Sequence, residues 1–298
     1  MHNHAHCDHH HPVSFGTAFA VGVALNGAFV VGEAIFGLYA HSLSLLADAG
    51  HNFGDVLGLL MAWGAASLSV RPPTPTRTYG YRRSSILAAL ANSCLLLVAI
   101  GAITWEAVLR LIHPVPVGGS IVMAIAGIGI VVNGFTALLF AGGRHGELNV
   151  RSAYIHMLGD ALVAAGVVVA GLLIQLTNRE WIDPVVALAI AVLIARTSWG
   201  VLRESTELAM DAVPRGVDSS SVLEYLRSVP GVSAVTDLHI WGISTSESAL
   251  TAHVVAPDGV GDSSLRDVET ELRNRFHIVH STIQIERTLG PGCSLAKE

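Results

Sequence analysis

The sequence predicts an all-α bundle of six membrane-spanning helices followed by a small cytoplasmic α+β domain of αββαβ order, ferredoxin- or metallochaperone-like. Three observations carry that prediction. The 298 residues are 51% hydrophobic and only 13% charged, against roughly 25% charged in ordinary soluble domains. Six apolar stretches each reach the ~20 residues a helix needs to cross a hydrocarbon core about 30 Å thick. Beyond Pro214 these stretches stop, and short helical and alternating patterns take over.

The apolar stretches lie near 15–38, 43–70, 84–112, 118–141, 151–176 and 181–202. Arg196 falls in the last and Arg203 at its end, and both are expected to snorkel to one interface. Arginine placement sets the orientation. The loop between the second and third spans carries Arg71, Arg77, Arg82 and Arg83, and the next loop on that side Arg144 and Arg151; the opposite loops hold only Arg110 and Arg179. The arginine-rich side is therefore expected to be cytoplasmic, with both termini on it, in the plasma membrane or a bacterial inner membrane.

In the tail, 218–228 and 263–276 carry helical spacing with serine-rich starts, while 232–243, 249–256 and 281–287 alternate as strands do. The domains expected are a His-rich N-terminal segment (1–13), a transmembrane domain (14–205) and a cytoplasmic domain with its tail (206–298). A formal net charge of -6 offers nothing to nucleic acid. Three well-separated cysteines, Cys7, Cys94 and Cys293, indicate no disulfide framework. The opening MHNHAHCDHHH lacks the basic and apolar regions of a secretory signal; its interrupted histidines read as a metal-binding tail.

The chemistry is concentrated in two spans. The second reads LLADAGHNFGDVLG and the fifth AYIHMLGDALV, so each holds His-x-x-x-Asp: His51 with Asp55, and His156 with Asp160. A spacing of four puts both side chains on one helix face. Two such faces opposed would offer two imidazole nitrogens and two carboxylate oxygens, a set that suits tetrahedral zinc and disfavours calcium or magnesium. Each carboxylate at mid-bilayer costs at least about 2.5–3.5 kcal/mol, which makes its repetition with the same histidine spacing hard to explain without a cation. Asp48, a turn before His51, reads either as an outer partner of the ion or as a structural hydrogen-bonder. Glu33, Asn26, Asn92 and Asn133 read as interhelical hydrogen-bonders. Gly50, Gly54, Gly58, Gly159 and Gly166 read either as close-packing positions or as the ordinary glycine content of membrane helices.

With these residues in place, the sequence resembles the cation diffusion facilitator family, and within it the zinc-exporting branch with two His and two Asp. The phrases SLSLLADAGHNFGD, YGYRRSSILAAL, IDPVVALAIAVLI, LRESTELAMDAVP and VTDLHIWGIS carry the likeness, which covers about 14–287. It implies a homodimeric exporter of zinc, with cadmium and cobalt as further candidates, coupled to protons by alternating access, with the tail as a dimerising and regulatory metal domain. By the same resemblance His253 and Glu286 are tail ligands, and Cys293 with Cys7 and His6 (beside His4) could join them from a dimer partner's N-terminus. His239, His277 and His280 are nearby candidates. Two positions depart from the family pattern: Arg82 stands where some relatives have a loop histidine, and Thr236 where some have a tail histidine.

Zinc needs neutral imidazole and ionised carboxylate, so its capture displaces protons, and protons from the far side could displace zinc in turn. No P-loop is present to suggest nucleotide-driven transport. The expected partners are the bilayer, divalent ions and a second copy of the chain, with zinc and protons as the exchanged species. An intramembrane metalloprotease would want His-Glu-x-x-His, which the chain lacks. A metal sensor would leave two membrane carboxylates unexplained, and an importer with the same ligands is separable only by the direction of flux.

Overall fold

A computed structural model describes residues 15–141 and 148–289. Six long helices come first: α1 (Phe15–Tyr39), α2 (Leu43–Ser69), α3 (Ser84–Ile112), α4 (Gly119–Ala141), α5 (Leu148–Thr177) and α6 (Ile182–Ala209). Their breaks are chemically legible. Pro72 and Pro73 follow α2, and Pro114 and Pro116 follow α3, where a ring without an N–H cannot continue the ladder. Asn178 and Asp211 take left-handed backbone after α5 and α6, at φ 52° and 59°. Four helices are long and apolar enough to cross a membrane along Ser84–Ile112, Gly119–Leu138, Tyr154–Thr177 and Ile182–Ala209, and α1 adds a shorter apolar run, Val23–Tyr39. The 27-residue α2 is as long as these, but Asp48, His51, Asn52 and Asp55 dilute its hydropathy. α6 continues past the expected 202, because the charged residues there pair along the helix: Arg203 Nε donates to Glu207 Oε1 at 2.7 Å.

Five further elements follow: α7 (Ser219–Ser228), β1 (Ala234–Gly242), β2 (Ser248–Val255), α8 (Asp262–Phe276) and β3 (Ile278–Glu286). The sheet order is β1-β2-β3. β1 and β2 form an antiparallel hairpin, whereas β2 and β3 are parallel and are joined through α8, as a parallel pair requires. Asp218 caps α7 by accepting from the backbone of Ser220 and Ser221. The Ser221 hydroxyl, foremost among these donors, holds the Asp218 carboxyl below its ordinary range. β3 begins three residues before the alternation at Ser281 suggests. His277, left-handed at φ 57°, ends α8 and turns the chain straight into the strand.

The described chain divides into two compact units: residues up to Leu57 with Leu96–Arg196, and Gly58–Leu95 with Thr197 onward. The core of the first joins Leu43, Leu45 and Ala47 of α2 to Ile100, Val122, Ala126, Val167, Ala187, Ile190 and Ile194. Small residues let its helices approach closely. A Cβ on Gly171 of α5 would meet the Gly119 carbonyl oxygen of α4 at 2.9 Å, and one on Gly129 of α4 would meet the Phe29 ring of α1 at 2.8 Å. The core of the second is that of the αββαβ domain, with Val222, Leu226, Leu250, Val254, Val268, Leu272 and Phe276 packed between its helices and one sheet face. In the same unit Arg82 reaches Glu247 of the β1–β2 turn at 2.5 Å, Thr245 N donates to Ser85 Oγ at 3.1 Å, and Arg83 pairs with Asp211.

Candidate metal centre

Helical spacing stacks His51 over Asp55 on α2 and His156 over Asp160 on α5, and the first unit brings the two faces together. Four imidazole–carboxylate approaches result, two within a helix and two between α2 and α5. His51 Nδ1 lies 3.7 Å from Asp55 Oδ2 and His51 Nε2 lies 3.5 Å from Asp160 Oδ1. His156 Nε2 lies 3.2 Å from Asp55 Oδ2 and 3.7 Å from Asp160 Oδ2. The two rings meet edge-on, with centroids 6.0 Å apart. Among the described residues, this is the one place where three potential ligand atoms, from His51, Asp55 and Asp160, lie within 4.8 Å of one another. His156 touches both carboxylates but stands farther from His51, and it is the most open of the four side chains at 41% exposure.

Asp160 is buried, at 3% exposure. Among the described residues, no donor meets Oδ2 of Asp55 or Oδ2 of Asp160 in hydrogen-bond geometry. A buried carboxylate oxygen with no donor is costly, and a cation between α2 and α5 would relieve two such oxygens at once. The donor set, two nitrogens and two oxygens, matches the preference of zinc.

Behind this cluster, Asn52 Nδ2 donates to Glu33 Oε2 at 3.4 Å, so Glu33 does join α1 to α2 as an interhelical hydrogen-bonder. Asp48 is fully buried beside Glu33, and neither of its oxygens meets a donor in hydrogen-bond geometry among the described residues. Asn133, expected to bond across helices, has neither amide atom paired among the described residues. Of the glycines near the site, Gly54 allows close contact with Leu96, whose Cδ2 would lie 2.2 Å from an added Cβ, while Gly159 and Gly166 face open space. Sequence reasoning gave no role to Asp183, which holds the start of α2. Its signal was an acid immediately before Pro184 at a helix start.

The tail holds a second set of histidines and carboxylates. His253 Nδ1 of β2 lies 3.0 Å from Glu286 Oε1 of β3, and its Nε2 lies 3.7 Å from Asp237 Oδ2. His239 Nε2 lies 2.6 Å from Asp237 Oδ1, and Gln284 Nε2 donates to Glu286 Oε1 at 3.0 Å. Asp237 went unnoticed in the sequence. It enters because the β1–β2 register slips between Thr236 and His239, with Asp237 left-handed at φ 55°. Thr236 pairs across from His253. His277 caps α8, and the His280 ring meets Tyr79 edge-on at 5.6 Å; neither is tied to this cluster by a contact among the described residues. His6, Cys7 and Cys293 lie outside the described residues.

Residues 19–208 match the cation efflux transmembrane domain, and residues 214–288 match the cytoplasmic domain of cation efflux proteins. Among curated proteins, the chain is 35% identical to the zinc transporter ZitB of Escherichia coli, over 99% of this chain and 96% of that protein. It is 32% identical to the metal cation efflux system protein CzcD of Cupriavidus metallidurans, over 93% of this chain and 89% of that protein. It is 33% identical to the cadmium, cobalt and zinc/H(+)-K(+) antiporter of Bacillus subtilis, over 89% of this chain and 86% of that protein. All three are named as transporters or efflux proteins rather than enzymes.

Proposed function

We propose, from the premise that this chain belongs to the cation efflux family, that it exports zinc from the cytoplasm in exchange for protons, through an ion site of His51, Asp55, His156 and Asp160. Cadmium and cobalt are proposed as further cargo. The observation that carries this reading is the pair of donor-less carboxylate oxygens of Asp55 and Asp160, each within 3.7 Å of an imidazole nitrogen. The names of the relatives point the same way: one is a zinc transporter, and another exchanges cadmium, cobalt and zinc for protons and potassium.

The chemistry of exchange follows from the ligands. A proton on an imidazole occupies the lone pair that zinc needs, and a proton on a carboxylate removes the charge that holds zinc. With an unperturbed histidine titrating near about 6.5, metal and proton compete within the pH range of a cell. Each proton returned supplies roughly 1.4 kcal/mol per pH unit and about 2.3 kcal/mol per 100 mV. α2 and α5 would open the site to one side and then the other. In this reading all six long helices cross the bilayer, both termini are cytoplasmic, and the αββαβ domain pairs two copies of the chain. His253, Glu286 and His239, with His6, Cys7 and Cys293, remain the proposed cytoplasmic ligands, and Asp237 joins them.

Purified chain in proteoliposomes tests this. Zinc flux should follow an imposed pH gradient and vanish in Asp160→Ala while the variant still inserts. Flux indifferent to the gradient rules out exchange, and normal flux in Asp160→Ala rules out the site.

A further inference from the structure

The start of α2 is held by a carboxylate from another helix. The first N–H groups of a helix have no partner within it, and inside an apolar unit each must find one. Asp183, fully buried in the first turn of α6, takes two of them: Leu43 N donates to its Oδ2 at 2.6 Å and Ser44 N to its Oδ1 at 3.2 Å. The hydroxyls of Ser42 and Ser44 also donate to Oδ1, at 2.7 and 2.6 Å. Ser42 completes the cap by accepting from Leu45 N at 3.2 Å. A carboxylate at a helix N-terminus, receiving four bonds in a dry setting, is among the strongest polar anchors available to a membrane helix.

The neighbouring residue faces the other ligand helix. Ile182 packs with Ala170 and Ile174 of α5 in a buried cluster. One dipeptide at the start of α6 therefore grips α2 through Asp183 and α5 through Ile182. Asp55 lies twelve residues into α2, and Asp160 lies fourteen before Ile174. At ~1.5 Å per residue both carboxylates are carried to a similar depth, about 20 Å from the dipeptide.

We propose that Asp183 is a positioning residue for the ion site: by fixing the height and rotation of α2 against α5, it sets the separation of His51 and Asp55 from His156 and Asp160. The inference rests on the ion-site reading above. It is independent of direct coordination, since Asp183 spends its oxygens on α2. A loosened clasp lets α2 slide or rotate, and the four ligands then meet the ion in poorer geometry. That weakens zinc binding and alters the preference between ions of different size, which general loss of folded protein does not do.

The test compares zinc and cadmium flux in proteoliposomes of wild type, Asp183→Asn, Ser44→Ala and Asp160→Ala, each normalised to monodisperse folded protein. Asp183→Asn should raise half-saturation for zinc about tenfold or more, the scale on which partners that orient ligands act, and change the zinc-to-cadmium ratio. Ser44→Ala, which keeps the carboxylate and removes one hydroxyl donor, should move both quantities in the same direction by less, and it decides the matter if Asp183→Asn does not fold. Unchanged half-saturation and ion ratio overturn the inference. Asp160→Ala separates the two levels: if it abolishes flux while the Asp183 and Ser44 variants keep wild-type half-saturation, only the clasp is wrong; if it transports normally, the site reading fails and takes the clasp with it.

Discussion

Two clusters in this chain are built from the same residue types, and they differ in what their oxygens lack. Between α2 and α5, each of two histidines lies within 3.7 Å of each of two aspartates, yet Oδ2 of each aspartate meets no donor in hydrogen-bond geometry among the described residues. In the tail, Asp237, His239, His253 and Glu286 run as a chain of pairs across the sheet, and Glu286 also accepts from Gln284. The first cluster is compact and unsatisfied; the second is extended and largely satisfied within itself. A cation entering the first cluster meets oxygens without donors, whereas one binding in the tail must displace contacts already made, so the two clusters differ in what metal binding costs.

The comparison can be broken most directly at the ligands. Asp55→Ala should abolish zinc flux and remove one class of zinc sites from the calorimetric isotherm, whereas Glu286→Ala should leave transmembrane flux within a fewfold of wild type; equal losses of flux in the two variants would erase the distinction. Next in size is packing beneath the tail cluster. Leu250 and Leu272 are fully buried, so either Leu→Ala change should cost about 2–5 kcal/mol, read as a lowered unfolding midpoint of the tail by a local fluorescent probe. That loss should disturb the tail's His–carboxylate chain while an intact ion site still binds zinc. Smaller again is Asp218→Ala, which removes the α7 cap and should cost about 0.5–2 kcal/mol by the same melt. The smallest effect is expected from deleting residues 1–11: capture of metal at low concentration should fall modestly, with maximal flux retained. Complete loss of flux would instead give the N-terminus a role in the ion path itself.

Arg82 sharpens the contrast from the loop side. In the segment before α3, its guanidinium is in contact with Glu247 of the β1–β2 turn. Both side chains are at least one-third exposed, so the pair contributes little stability on its own. Its use is as a fixed link between a membrane-helix end and the tail's turn.

Six long helices and the αββαβ tail were legible in the sequence, because hydropathy and period are written in consecutive residues. The sequence also singled out His51, Asp55, His156 and Asp160, since an ionisable pair at helical spacing is conspicuous against an apolar background. Only helix packing brings α2 against α5, sets Asp48 beside Glu33, and carries Asp183 across 140 positions to the start of α2. The tertiary structure also decided that a register slip turns Asp237 between two histidines. The physical reason is the range of the interactions. Helix and strand follow from neighbours within a few residues, whereas the partner of a buried polar group is chosen by whichever donor, acceptor or ion the packed helices bring within about 3 Å, and no local pattern encodes that choice.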